Sequence, residues 1–245
     1  MTTGQHSDER SYKTWAHAVE QQLAEHGSEE RRKVAVTYFP TAMRVLGVPV
    51  PALRTVAKGL AKQLKTEPPG VVVAHAQALV DAGTMEGRQV AYEILEAHKA
   101  AALSLGTVEI ERLRVGLDNW ASVDSFAASV AGPAWRRGQL PDSLVDAWAV
   151  SPDRFVRRLA LVCTVALNMR SRGGKGDVAR TLHVGRQLVG DRDEFVVKAL
   201  SWALRELLPH DAAQVQSFVA AHEAKLSRRI VREINFLKLT KGTKN

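Results

Sequence analysis

Apolar residues along this chain recur at intervals of three and four, the period of a helix with one buried face. From Phe195 to Leu208, Val196, Ala199, Leu200, Ala203, Leu204 and Leu207 form one stripe, while Glu194, Lys198, Trp202 and Arg205 fall largely on the other side. The same pattern fills most of the sequence. It predicts helices over 11–25, 29–46, 51–65, 71–82, 86–100, 105–117, 121–130, 141–149, 153–170, 177–189, 193–208, 211–221 and 225–239. Alternating apolar and polar runs with hairpin turns, the mark of strands, are absent. The breaks carry helix-ending residues: Gly47-Val48-Pro49, Pro68-Pro69-Gly70, Gly132-Pro133, Ser151-Pro152, Gly173-Gly174 and Pro209. Asp153 and Asp193 stand where N-cap side chains are expected.

Helix pairs recur at about forty residues, the range of HEAT-like repeats. The expected fold is all-α: a curved solenoid of HEAT-like antiparallel helix pairs with a basic concave surface. No interior linker interrupts it. Residues 11–240 therefore read as one domain, with a flexible segment over 1–10 and a frayed tail over 241–245.

Charge changes the picture more than composition does. The 245 residues are 45% apolar and 24% charged, both ordinary for a globular protein. The formal net charge is +8, with a pI near 9.8. That balance favours a polyanionic partner, nucleic acid or an acidic membrane surface, over a surface that merely aids solubility. One cysteine, Cys163, excludes an internal disulfide and fits a reducing, cytoplasmic setting. Met1 to Ser11 lack an apolar core, so no secretory leader is expected, and no stretch reaches the length of a membrane span. The eight histidines are scattered, and a zinc site is not expected. Gly173-Gly174-Lys175-Gly176-Asp177 lacks the Walker spacing and a preceding strand, and reads as a helix–helix loop.

Some faces carry groups that packing does not explain. Trp120 and Asp124 lie four residues apart and share a helix face. An indole beside a carboxylate on a basic chain suits a cationic, ring-bearing ligand, and a positively charged DNA base fits. Asp124 also reads as an acid favoured by the helix dipole, and Trp120 as a hydrophobic staple. Lys198, Trp202 and Arg205 repeat the geometry on another helix, either as a ligand surface or as the edge of a repeat interface. Arg154, Arg157 and Arg158 crowd the first turn of a helix, where the dipole disfavours cations, which points to an anion partner or a solvated basic turn. Tyr38, Arg44, Arg54, Lys58 and Lys62 lie near one end of the chain, and Arg228, Arg229 and Arg232 near the other. Basic groups spread along a solenoid would follow a phosphate backbone, with steep salt dependence.

Together these residues resemble the AlkD family of DNA alkylation repair glycosylases, built from HEAT-like repeats. Trp120-Ala121-Ser122-Val123-Asp124-Ser125 is similar to the family's Trp-x-Ser-Val-Asp-Ser motif, with Trp120 and Asp124 on its catalytic-site positions. In Phe155-Val156-Arg157-Arg158-Leu159-Ala160, Arg158 falls on the family's site arginine. In Phe195 to Glu206, Trp202 falls on the second site tryptophan. Tyr38, ahead of Leu46-Gly47-Val48, and Leu226-Ser227-Arg228-Arg229 match in the same order. The chain departs by carrying Asn119 where the family often has Trp, and Ala121 where Asp is frequent.

The resemblance implies excision of cationic alkylated purines from double-stranded DNA by a monomer, with no metal or organic cofactor and with the base kept largely in the duplex. The implied site is Asp124, Trp120, Trp202 and Arg158. DNA contacts are expected from Tyr38, Arg44, Arg54, Arg157, Lys198, Arg205, Arg228 and Arg229. The rival readings are a non-catalytic HEAT-type module that binds nucleic-acid structure, and a protein-binding helical scaffold with a large apolar patch.

Overall fold

The structure, a computed structural model, describes residues 3–242, with side chains described for 9–236. The segments expected to be flexible at the termini lie partly outside them, at 1–2 and 243–245. Within the described residues the chain is helical without strands, and Arg44 and Thr84 form an isolated backbone bridge. The helices are α1 (Thr3–Ala24), α2 (Glu29–Tyr38), α3 (Val50–Gln63), α4 (Pro69–Asp81), α5 (Met85–Ala97), α6 (Lys99–Ser104), α7 (Thr107–Arg114) and α8 (Trp120–Phe126). They continue as α9 (Gly132–Arg136), α10 (Asp142–Ala149), α11 (Arg154–Asn168), α12 (Val178–Leu188), α13 (Glu194–Leu207), α14 (Ala212–His222) and α15 (Arg228–Gly242). No helix among the described residues is long and apolar enough to cross a membrane.

Two compact units share the chain, the first ending at Val130 and the second starting at Ala131. Each has two helical layers. In the first, α4 packs on α1 and α7, α5 packs on α3 and α8, and α4 packs on α5. In the second, one row runs α10, α12, α14 and the other α9, α11, α13, α15, with α10 on α11 and α12 on α13. Such layering of successive helix pairs is the all-α repeat arrangement that the periodicity predicts.

The core of the first unit gathers Leu79, Ile94, Tyr92 and Phe126, all fully enclosed. The Tyr92 ring sits 5.0 Å from that of Phe126. Its hydroxyl donates to the Leu113 carbonyl at 3.2 Å and accepts from buried Arg88. Burial pushes the phenol up to about 12. In the second unit α11 is the central element, enclosed at every position from Arg158 to Asn168. Cys163 lies within it, and burial pushes its thiol well above the ordinary range.

Several boundaries differ from the expected ones for identifiable reasons. The helix expected over 29–46 ends at Tyr38, because Pro40 disfavours helical backbone at Phe39, which sits at φ −124°, ψ 74°. Arg44 therefore lies in an extended segment rather than in a helix. That segment is held by the Glu86 carboxylate, which accepts from the amides of Leu46, Gly47 and Val48 at 3.0, 2.8 and 3.3 Å. Gly47 is required there: its φ is +75°, and a Cβ would lie 2.5 Å from the Ser28 carbonyl oxygen. The span 86–100 is two helices, because His98 ends α5 and its side chain caps α6. Gly132-Pro133 is not a break. A π-helical turn, Ala127–Ala131, runs directly into α9, whose first turn accepts Pro133 without needing its missing donor.

Other local expectations hold. Asp153 and Asp193 cap α11 and α13, accepting from the amides of Phe155 at 2.7 Å and Phe195 at 2.9 Å. The glycine-rich stretch is the loop between α11 and α12. The amides of Lys175 and Gly176 bond the Leu167 carbonyl, so they do not form a phosphate cradle.

Candidate functional site

The sequence-predicted residues divide between the two units. In the first, Trp120 opens α8 and Asp124 follows one turn later, both partly exposed. The Trp120 ring does not stand alone. Phe39 lies 4.9 Å away and Tyr38 5.7 Å, and those two rings are 4.8 Å apart edge to face. Tyr38 is 66% exposed, so the cluster offers an aromatic face to solvent beside the carboxylate helix.

Side chains that periodicity did not single out hold this cluster. Asn119, 1% exposed, caps α8 by accepting from the Ser122 amide at 2.9 Å. Asp118 reaches the loop after α2, accepting from the Thr41 hydroxyl and the Ala42 amide, each at 2.5 Å. It thereby ties the segment carrying Tyr38 and Phe39 to the start of α8. Neither partner is near in sequence, so only the weak signal of two consecutive polar residues before Trp120 marked the position. A cavity of about 300 Å³ opens beyond Phe39, lined by Leu53, Met85, Gln89 and Ala121 and bordered by Arg54. Arg54, Lys58 and Lys62 are exposed on α3. Arg44 is exposed too, while it pairs with the buried Glu20 carboxylate at 2.6 Å and donates to the Ala82 carbonyl at 3.3 Å.

In the second unit the crowded first turn of α11 finds its anions within the protein. Arg157 bonds Asp191 at 2.7 Å and the carbonyls of Ser151 and Pro152, each at 2.9 Å. Arg154 lies over the Phe155 ring at 4.9 Å and the Phe195 ring at 5.2 Å, and 3.5 Å from Asp193. Arg158 is buried and donates to the Phe195 carbonyl at 2.6 Å. For Arg154 and Arg157 an anion partner is thus supplied by Asp193 and Asp191 in the segment before α13, which sequence spacing does not reveal.

On α13, Lys198 pairs with Glu194 at 2.5 Å, and the bonded ammonium holds the exposed Glu194 carboxyl below its usual value. The Trp202 indole nitrogen donates to Glu206 at 3.2 Å. Glu233 of α15 was not anticipated, yet three groups converge on it. The buried Ser201 hydroxyl and the Arg229 Nε at 2.8 Å bond it, and Arg205 stands 3.7 Å away. Burial alone would raise the Glu233 carboxyl; the Ser201 and Arg229 hydrogen bonds and the charges of Arg229 and Arg205 together outweigh it and lower the pKa. Arg228 is exposed at the first position of α15. No group of three or more His, Cys, Asp or Glu among the described residues is placed to hold a metal ion.

A solved structure described as a predicted DNA alkylation repair enzyme from Enterococcus faecalis is similar in fold, with a TM-score of 0.66 at 18% identity, over 85% of this chain and 94% of that one. Comparison with curated proteins gives no match. The family model for DNA alkylation repair enzymes matches residues 19–233, which include both the Trp120–Asp124 helix and the Trp202 helix, and the chain belongs to that family.

Proposed function

We propose that this protein is a monofunctional DNA glycosylase that hydrolyses the N-glycosidic bond of cationic alkylated purines in duplex DNA. N3-alkyladenine and N7-alkylguanine are the substrate class, including bulkier adducts, and the base stays largely within the duplex. The observation that carries the reading is Asp124 one helical turn after Trp120, whose ring joins those of Phe39 and Tyr38, on a basic chain of this family. In this proposal residues 11–240 act as one domain, and the protein works as a cytoplasmic monomer.

The chemistry follows from charge. Alkylation places a positive charge on the purine, which makes it a good leaving group. As the bond from C1′ to the base nitrogen breaks, its electron pair goes to the base and cancels that charge. Cationic character moves to the deoxyribose. Asp124 stabilises it and orients the attacking water, whose oxygen bonds C1′ and whose proton passes to the carboxylate or to solvent. The Trp120 face borders the developing cation, and cation–π attraction favours it there. Arg158 contributes positive charge toward the lesion's backbone. Exposed cations such as Arg54 and Arg228 supply phosphate contacts.

Base release from duplex DNA carrying N7-methylguanine, beside a bulky N3-adenine adduct, tests this. Wild type is expected to free the modified base, and Asp124→Asn to bind DNA while freeing none. The better of the two lesions separates housekeeping repair of methylated bases from self-resistance against a bulky alkylating compound. Release from neither, with salt-sensitive DNA binding retained, would establish a non-catalytic DNA-binding module instead.

A further inference from the structure

Glu233, in the seam between α13 and α15, bridges two arginines expected to meet DNA. We infer that Glu233 is an internal counter-ion for Arg205 and Arg229, which must be shared or displaced when a phosphate arrives, and that it restrains binding to duplex DNA. The inference rests on the reading that this surface meets the backbone.

Three observations lead to it. The first is placement: Arg205, with 43% side-chain exposure, comes from α13, and Arg229, with 44%, from α15, yet both converge on one carboxylate. The second is anchorage. Ser201 is 1% exposed and donates its hydroxyl to Glu233, which draws the carboxylate into the seam and fixes it at 23% exposure. A solvated surface glutamate would have no such tether. The third is charge. The carboxyl is held below its ordinary range, so it stays anionic at neutral pH.

The physical consequence is competition. Arg229 turns its Nε toward Glu233, leaving the outer nitrogens of the guanidinium for another acceptor. Arg205 at 3.7 Å is attracted without a hydrogen bond and is the more easily recruited of the two. A phosphate approaching either arginine also meets the repulsion of Glu233. Binding therefore releases fewer condensed counter-ions than two unencumbered arginines would. The carboxylate therefore lowers affinity for duplex DNA, damaged and undamaged alike, through the backbone contacts common to both.

The test is duplex binding over a series of salt concentrations, using undamaged DNA and wild type, Glu233→Gln, the pair Arg205→Gln with Arg229→Gln, and the triple variant. Glutamine keeps an acceptor for Ser201 and removes the charge. Glu233→Gln is expected to bind about two- to fivefold tighter, the effect of dissolving an exposed ion pair. Its salt dependence should also be steeper, by roughly 0.9 in the log–log slope for each additional phosphate neutralised. Both changes should vanish when the triple variant is compared with the arginine pair. Unchanged affinity and slope for Glu233→Gln, while the arginine pair binds more weakly than wild type, would overturn the counter-ion role and leave the DNA-binding reading standing. An arginine pair that binds as wild type does would show that this surface does not meet DNA, and both would fall. Should the glutamine variant be too unstable to assay, Ser201→Ala loosens the same carboxylate and is expected to shift binding in the same direction.

Discussion

At the scale of single residues, burial sorts reactive groups from inert ones. Cys163 has the only thiol in the sequence, but it lies fully enclosed in α11 with its ionisation strongly opposed. A thiolate is the reactive form, so native protein should resist thiol-directed reagents at pH 8 and react only after unfolding. Stoichiometric labelling of the folded protein within minutes would contradict this. Tyr92 behaves alike, with its phenol raised to about 12. For both groups the folded state holds its proton more tightly than the unfolded chain does. Stability is therefore undiminished at neutral pH and falls as the pH rises through the ordinary thiol and phenol values. Thermal melts between pH 7 and 10 should show melting temperature declining toward the alkaline end. By contrast, Trp120, Asp124 and Tyr38 all keep exposed surface, as groups that meet a ligand must.

At the scale of elements, the short helix α8 depends on the two residues before it. Asn119 supplies its N-cap, and Asp118 binds the loop that brings Phe39 and Tyr38 onto Trp120. Asn119→Ala should cost about 1 kcal/mol through loss of the cap, and lower the melting temperature by about 2–4 °C. Asp118→Ala leaves the Ala42 amide and the Thr41 hydroxyl without their acceptor. It should add to that loss and loosen the aromatic cluster, so excision is expected to fall more than duplex binding does. Equal losses in both would assign Asp118 to general stability alone. The caps of α11 and α13 were legible as Asp153 and Asp193 because a cap acts over two or three residues. The early end of α2 was less so, since the apolar period continues past Pro40 even though the backbone cannot.

At the scale of the whole molecule, a net charge of +8 makes affinity for any polyanion strongly dependent on salt. Removing charge at Arg228 and Arg229 together should weaken binding to damaged and undamaged duplex alike and flatten the salt slope by roughly one for each phosphate no longer neutralised. An unchanged slope would exclude them from phosphate binding. The two positions are not equivalent, because Arg229 is already paired with Glu233 while Arg228 stands exposed. Arg228→Gln alone should therefore flatten the slope more than Arg229→Gln alone.

The sequence by itself determined the all-helical class, most helix positions, the Asp153 and Asp193 caps, the basic charge and the Trp120-x-x-x-Asp124 pair, because each is written within one or two turns of chain. Periodicity, capping and net charge are local or additive properties. The tertiary structure decided which cations remain available. Arg44 pairs with Glu20, Arg157 with Asp191, and Arg205 with Glu233, partners lying from 24 to 34 residues away. It also decided that Phe39 and Asp118 belong to the environment of Trp120. Long-range pairing of charge and aromatic rings depends on how helices stack, and no period along the chain encodes it.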